Sequence, residues 1–266
     1  MSKRYFRVTD LDYYRKCPFR FYLDRILGLE IQPPPRFEVE YREWGTLAHR
    51  TMEYVFKDKD WDMDAFETRL FKALEKSLKE IPIAEFWANV TREIFRNLLP
   101  LLRKQEDEIR MKGYRPWLAE EKIEAEIDGI TLRGKIDRID KKKADGRRKK
   151  DGAKEQQTMD NGQQETVILL DYKTGQIDKK SLQLPLYARM WQVTHSPQVD
   201  EAGFYSLKDG RVTSYPPKKK SMEEFIHEAL EETAALIRQM KKGMFPAEPV
   251  TNECRNCGHG ALCGKG

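Results

Sequence analysis

The stretch Thr166-Val-Ile-Leu-Leu-Asp-Tyr-Lys-Thr-Gly175 joins a run of branched apolar residues to an abrupt polar ending. Side chains alternate along a strand, so Val167, Leu169, Asp171 and Lys173 share one face. That face begins as core and ends in a carboxylate and an ammonium. Charges are seldom set against a core face unless they are paired or bind something. An isolated Asp-x-Lys reads as an ion pair at a strand end. Here a second carboxylate, Asp137, lies at the end of the preceding strand, and His49 stands four residues after Gly45. Carboxylates at the ends of neighbouring strands repel unless a cation lies between them, so Asp137 and Asp171 are candidate ligands for a hard divalent ion. Mg²⁺ suits the oxygen donors, and the His49 imidazole suits Mn²⁺ as well. An ion held there would supply an activated water and a polarised phosphoryl oxygen. Lys173 is near enough to orient or deprotonate that water, or to neutralise charge on the phosphate. The set is equipment for phosphodiester hydrolysis.

These residues require a sheet with helices beside it. Glu121 to Ile127 alternates polar and apolar, Asp128-Gly129 signals a hairpin turn, and Ile130 to Asp140 is the returning strand that carries Asp137. Lys141 to Lys150 begins a polar, basic tract that extends to Glu165 and cannot bury enough apolar surface to fold alone. It is expected to be a flexible loop over 141–165 between paired strands. Glu43 to Arg50 opens a helix running to about Lys57, with Gly45 and His49 on one face and Gly45 allowing close approach of another backbone. Apolar residues at three-to-four spacing make 62–112 a helical subdomain inserted before the sheet, punctuated by Pro82 and Pro100. A helix from Lys179 to about Val193, with Pro185 in its first turn, presents Gln183 and Tyr187 together. Thr9 reads as the cap of a helix interrupted at Cys17-Pro18, and Gln32 to Arg36 as a stiff connector. A second hairpin turns at Asp209-Gly210. Ser221 and Glu224 form a capping box for a helix ending before Gly243. The expected class is α/β, a mixed sheet flanked by helices in a single domain over 1–266.

Composition sets limits. A chain of 266 residues can bury one substantial core, and 49 basic against 44 acidic residues is too even a balance to announce a nucleic-acid protein. No apolar run approaches the roughly 20 residues of a membrane helix, and Met1 to Asp10 is too polar for a signal peptide, so a cytoplasmic protein is expected. Four cysteines in such a chain read as metal ligands rather than disulfides. Cys254, Cys257 and Cys263 share one short segment, while Cys17 lies near the other end. A metal bound by all four would tie the two ends together, and ligand type alone admits zinc or an iron–sulfur cluster. His259 is an alternative fourth ligand but reads as a surface residue. Lys141 to Lys150 and Lys218 to Lys220 could contact phosphates or simply be solvated.

Four ordered motifs carry a resemblance: Gly-Thr-Leu-Ala-His49, Gly-Lys-Ile-Asp137, Asp-Tyr-Lys173 and Gln183-Leu-Pro-Leu-Tyr187. Together they resemble the PD-(D/E)XK nuclease superfamily, whose restriction-endonuclease-like fold is the architecture expected. The nearest branch holds the RecB and AddB nuclease domains and the CRISPR-associated adaptation nucleases. The superfamily's Pro is Ile136 here, and the basic tract lengthens the spacing between the two aspartates. The resemblance implies that His49, Asp137, Asp171 and the Tyr172 carbonyl bind the metal, and that Lys173 is the catalytic lysine. It implies that Gln183 and Tyr187 position the DNA backbone or the active site; Glu121 is a candidate supporting acid. The one-plus-three arrangement of Cys17, Cys254, Cys257 and Cys263 looks like that branch's 4Fe–4S staple. The implied activity is a Mg²⁺- or Mn²⁺-dependent deoxyribonuclease, an exonuclease acting on DNA ends or single strands in repair or recombination. End-trimming in CRISPR spacer acquisition is one alternative. A catalytically silent DNA-end-binding module of a helicase–nuclease complex is another. No Gly-x-x-x-x-Gly-Lys-[Ser/Thr] motif occurs, so unwinding would fall to a helicase partner.

Overall fold

The computed structural model describes residues 5–29, 41–58, 63–81, 83–142, 165–247, 254 and 257–264. A two-residue strand, β1 (Phe6–Arg7), leads into helix α1 (Val8–Lys16). Phe6 pairs with Leu132 of a later strand, which keeps the chain extended through Arg7. The helix therefore starts at Val8, and Thr9 lies inside it instead of capping it. Cys17 is extended and breaks the helix, and its sulfur accepts the Arg20 amide to cap the short α2 (Pro18–Phe21). A π-helical turn follows at Tyr22–Ile26.

Three helices come next: α3 (Tyr41–Phe56), α4 (Phe66–Glu80) and α5 (Glu85–Met111). Pro100 lies within α5 rather than dividing it. A proline inside a helix costs about 3 kcal/mol, but Phe95, Leu98, Leu102 and Ile109 bury on both sides of it. That continuous apolar stripe carries the helix through.

Strands β2 (Tyr114–Ile127) and β3 (Ile130–Lys142) form a long antiparallel hairpin. Its turn residues Asp128 and Gly129 both have positive φ, 51° and 72°, as a type I′ turn requires. Because Lys141 and Lys142 pair with Val167 and Thr166, β3 continues two residues into the expected basic loop. Residues 143–164 of that tract, and the connector at 32–36, lie outside the described residues. There follow β4 (Thr166–Lys173), α6 (Gln183–Thr194), β5 (Gln198–Ser206), β6 (Arg211–Tyr215), α7 (Met222–Lys241) and a short α8 (Gly260–Cys263). Helix α6 starts later than expected because Asp178 makes a turn first: its side chain accepts the Lys180 amide at 2.9 Å and its carbonyl the Ser181 amide at 3.1 Å. The capping box of Ser221 and Glu224 forms as read.

Among the described residues the six strands make one mixed sheet. β3 pairs with β2 along its length, with β1 near its start and with β4 near its end. β4 is parallel to β5, and β5 antiparallel to β6. Helices α1, α6 and α7 cover one face, packing Tyr14, Leu186 and Trp191 against Val167, Leu169 and Phe204. Helices α3, α4 and α5 cover the other, packing Met52, Phe56 and Leu70 against Ile168, Leu170 and Tyr172. In this second layer Arg138 is buried between Glu106 and Asp140, at 2.7 and 2.5 Å, with its guanidinium 3.6 Å from the centre of the Phe56 ring. Paired on both sides, the buried charge ties α5 to the strand that carries Asp137.

The chain ends meet. Tyr14 donates to the Met244 carbonyl at 2.5 Å, and the Phe19 amide to that of Pro246 at 3.1 Å. His259, expected at the surface, is only 3% exposed, with Nε2 2.6 Å from Asp24 Oδ1. Tyr13 donates to the other Asp24 oxygen.

Candidate active site at the end of β4

Strand β4 emerges from between the helical layers at Asp171, and the register Arg138↔Leu170 sets Asp137 opposite it. Both carboxylates are nearly buried, at 6% and 4% exposure for Asp137 and Asp171. The Tyr172 amide donates to Asp137 Oδ2 at 2.8 Å, so the backbone between Asp171 and Lys173 holds the carboxylate from the neighbouring strand. Burial, and then the charge of Asp137, push the Asp171 carboxyl up to about 6. Lys173 Nζ lies 2.5 Å from Asp171 Oδ2, yet that oxygen accepts no well-directed hydrogen bond. The lysine instead directs a hydrogen bond to Gln183 Oε1, at 2.6 Å.

His49 comes from the helical side. Its Nδ1 lies 3.4 Å from Asp137 Oδ2, and its ring stands edge-on to Tyr172. Burial alone would lower the imidazole's pKa, but the hydrogen bond and charge of Asp137 outweigh it and raise it. Gly45, one turn earlier, lets α3 sit against β4's exit: a Cβ there would be 3.3 Å from Thr174 Oγ1. The close neighbour is thus a side chain rather than the backbone expected.

A further acid joins them. Glu120 lies across the hairpin from Asp137, between the pairs Ala119↔Arg138 and Glu121↔Ile136, and its φ is +57°. Left-handed backbone at a non-glycine residue is costly and concentrates at functional sites. The strand opposite changes its inward face at the same point: Leu132 and Ile136 point into the α6 layer, and so does Ile139. Asp137 and Arg138 therefore share the α3 side, as Glu120 and Ala119 do across the hairpin. One donor atom each from His49, Glu120 and Asp137 lie within 4.8 Å of one another. His49 and Glu120 line a cavity of 420 Å³ together with Arg50, Glu53 and Lys135. Glu121 pairs with Ile136 and shares the face of Ile123 and Ile127 toward the α6 layer, so its neighbour Glu120 takes the face of Asp137 and His49. The adjacent Glu-Glu pair was the available signal.

Gln183 and Tyr187 are brought in by α6. Asp12 of α1 caps that helix, accepting the Leu182 amide at 2.8 Å and the Ser181 hydroxyl. Tyr187 is 2% exposed, and its ring lies so close to β3 that a Cβ on Gly134 would sit 2.4 Å from its Cε1. The glycine of Gly-Lys-Ile-Asp137 is a seat for this ring.

The sequence profile of the PD-(D/E)XK nuclease superfamily matches residues 6–151 and 158–264. The chain belongs to the PD-(D/E)XK nuclease superfamily. A curated relative, the Gene 69 protein of Mycobacterium phage D29, is 23% identical over 276 aligned positions, covering 94% of this chain and 93% of the phage protein. Among solved structures, an Eubacterium rectale protein assigned as an exonuclease is 12% identical, with a TM-score of 0.46, covering 98% of this chain and 87% of that one. The protein SSO0001 is 16% identical with a TM-score of 0.36, covering 99% and 87%.

PD-(D/E)XK nucleases use divalent metal ions, and the donors here suit one: two crowded carboxylates, one with an oxygen lacking a hydrogen bond, beside an imidazole and Glu120. The cysteines are a different matter. Cys17, Cys254, Cys257 and Cys263 are all half-buried, but among the described residues no three of them come within 4.8 Å of one another. Cys263 Sγ instead faces the Gly260 carbonyl at 3.4 Å, and the Cys17 sulfur is engaged in capping α2. They are not gathered for the compact tetrahedron of a single zinc ion, whose thiolates would be about 3.8 Å apart. Among the described residues no helix is long and apolar enough to cross a membrane.

Proposed function

We propose that this chain hydrolyses DNA phosphodiesters, with Mg²⁺ or Mn²⁺ held by His49, Asp137, Asp171 and the Tyr172 carbonyl, and with Glu120 as a further acid. The observation that carries the reading is the hydrogen bond from the Tyr172 amide to Asp137, which couples the two aspartates across the strand pair. A bound ion would supply Lewis acidity and an activated water. Lys173, kept in place by Gln183, is the residue that meets charge developing on the phosphate. Tyr187 is too buried to touch DNA and acts by seating α6.

Action on DNA ends, as an exonuclease in repair or recombination, is the finer reading that the RecB- and AddB-like motifs favour; CRISPR end-trimming is the other setting they allow. A 4Fe–4S cluster on the four cysteines rests on the same resemblance and on the contact between the chain ends. An iron-laden, brown protein after anaerobic purification supports it, and a colourless protein without iron overturns it.

The decisive assay incubates end-labelled and circular DNA, single- and double-stranded, with Mn²⁺ beside Lys173→Ala. Removing a charged catalytic group should lower cleavage by about 10²–10⁴-fold, and circular DNA should survive if ends are required. Equal degradation by both proteins would sink the assignment.

A further inference from the structure

A second cavity, of 240 Å³, opens where α3 leaves the active site and meets α4; Tyr54, Lys57, Asp58, Arg69, Lys72 and Lys76 line it. Four of these six carry positive charge and one carries negative. Arg69 is engaged with the Val55 carbonyl at 2.9 Å and Asp58 at 3.6 Å. Lys76 Nζ lies over the Tyr54 ring, 3.8 Å from its centre. Among the described residues neither Lys57 nor Lys72 has a carboxylate partner. Lys72 and Lys76 are one turn apart, and like charges at that spacing repel. Lys57, Lys72 and Lys76 are exposed and line one concavity, where a phosphate can reach them.

The cavity is joined to the active site. Arg50, in the wall of the active-site cavity, has its guanidinium 5.9 Å from the centre of the same Tyr54 ring. Arg50, Tyr54 and Lys57 fall on one face of α3 at helical spacing. By the helical rise, Lys57 is roughly 12 Å along the axis from His49. Arg50 is paired with Glu53 at 2.7 Å, so among the described residues the positive charge without a carboxylate partner lies farther from the reacting centre, at Lys57 and Lys72.

We propose that this cavity holds a phosphate of the DNA strand being cut, flanking the reacting one, so that the strand runs along α3 toward α4. Such a contact is electrostatic and blind to sequence. The identity of the polymer rests on the hydrolytic reading above.

The test is fluorescence anisotropy with a labelled 12-nucleotide single strand, in EDTA, across a salt series. Wild type is compared with Lys72→Gln/Lys76→Gln and with Lys241→Gln/Lys242→Gln, which removes equal charge from the end of α7. Each phosphate contact on a single strand contributes about 0.7 to the slope of log K against log salt. The α4 variant should lose about 0.7 from that slope and bind several-fold more weakly at 0.1 M salt, while the α7 variant matches wild type. An unchanged slope in the α4 variant, an equal loss in both variants, or no binding by wild type overturns the proposal. Wild-type hydrolysis of bis(p-nitrophenyl) phosphate with Mn²⁺ is measured separately. Its failure would count against the hydrolytic centre without altering what the slopes say about the cavity.

Discussion

Buried beside Asp137, the Asp171 carboxyl holds its proton to about pH 6, well above its value in the unfolded chain. The sign follows: an acid whose folded value is raised stabilises the protein fully below the unfolded value and loses that contribution as pH rises through about 6. At neutral pH without a cation, ionised Asp171 is a burden on the fold. Asp171→Asn should therefore raise the stability of the metal-free protein by about 1–3 kcal/mol, while abolishing cleavage. Thermal melts in EDTA at pH 7.5, beside the DNA assay, check both halves. A melting point below that of wild type would contradict the like-charge account. Glu120 belongs to this balance as well: burial first, and Asp137 and Glu53 with it, raise its carboxyl against the pull of Lys135.

Among the elements, β4 was the most legible, because its branched run and period-two faces survive intact in the split between Ile168, Leu170 and Tyr172 on one side and Val167 and Leu169 on the other. The Asp128-Gly129 turn and the Ser221 capping box were equally plain, since each depends on neighbours in sequence. What alternation could not convey was the irregularity at Glu120 and Asp137, where an inward face changes parity without any inserted residue. Nor could helical spacing show that Asp12 would cap α6, a partner 170 residues away. Gly134 hid a similar long-range demand. Gly134→Ala puts a methyl 2.4 Å from the Tyr187 ring, so it should destabilise the protein by about 1–3 kcal/mol and lower cleavage by shifting α6 and Gln183. Pairing it with Tyr187→Leu should recover part of the stability in denaturant melts. Additive losses would show that the ring is not the obstacle.

At the scale of the whole molecule, the contact between the ends turns on Asp24, which receives Tyr13 and His259 and lies near Arg20. Burial would raise its carboxyl, but hydrogen bonds from Tyr13 and His259 and the nearby positive charge hold it below the ordinary value. Its contribution is present above the normal carboxylate range and lost as pH falls through the lowered value. The hydrogen-exchange protection factors of residues 257–264 should fall in acid, and Asp24→Asn should bring that loss of protection on already at pH 6. Protection equal to wild type at pH 6 would argue against the clasp. Tyr172 joins the two halves of the molecule more intimately. Its amide steadies Asp137 while its ring is embedded among the helices of the opposite layer. A cavity opened in that distant packing would reach the proposed ion site through one peptide unit, which would make ion affinity a property of the helical layer as much as of the ligands.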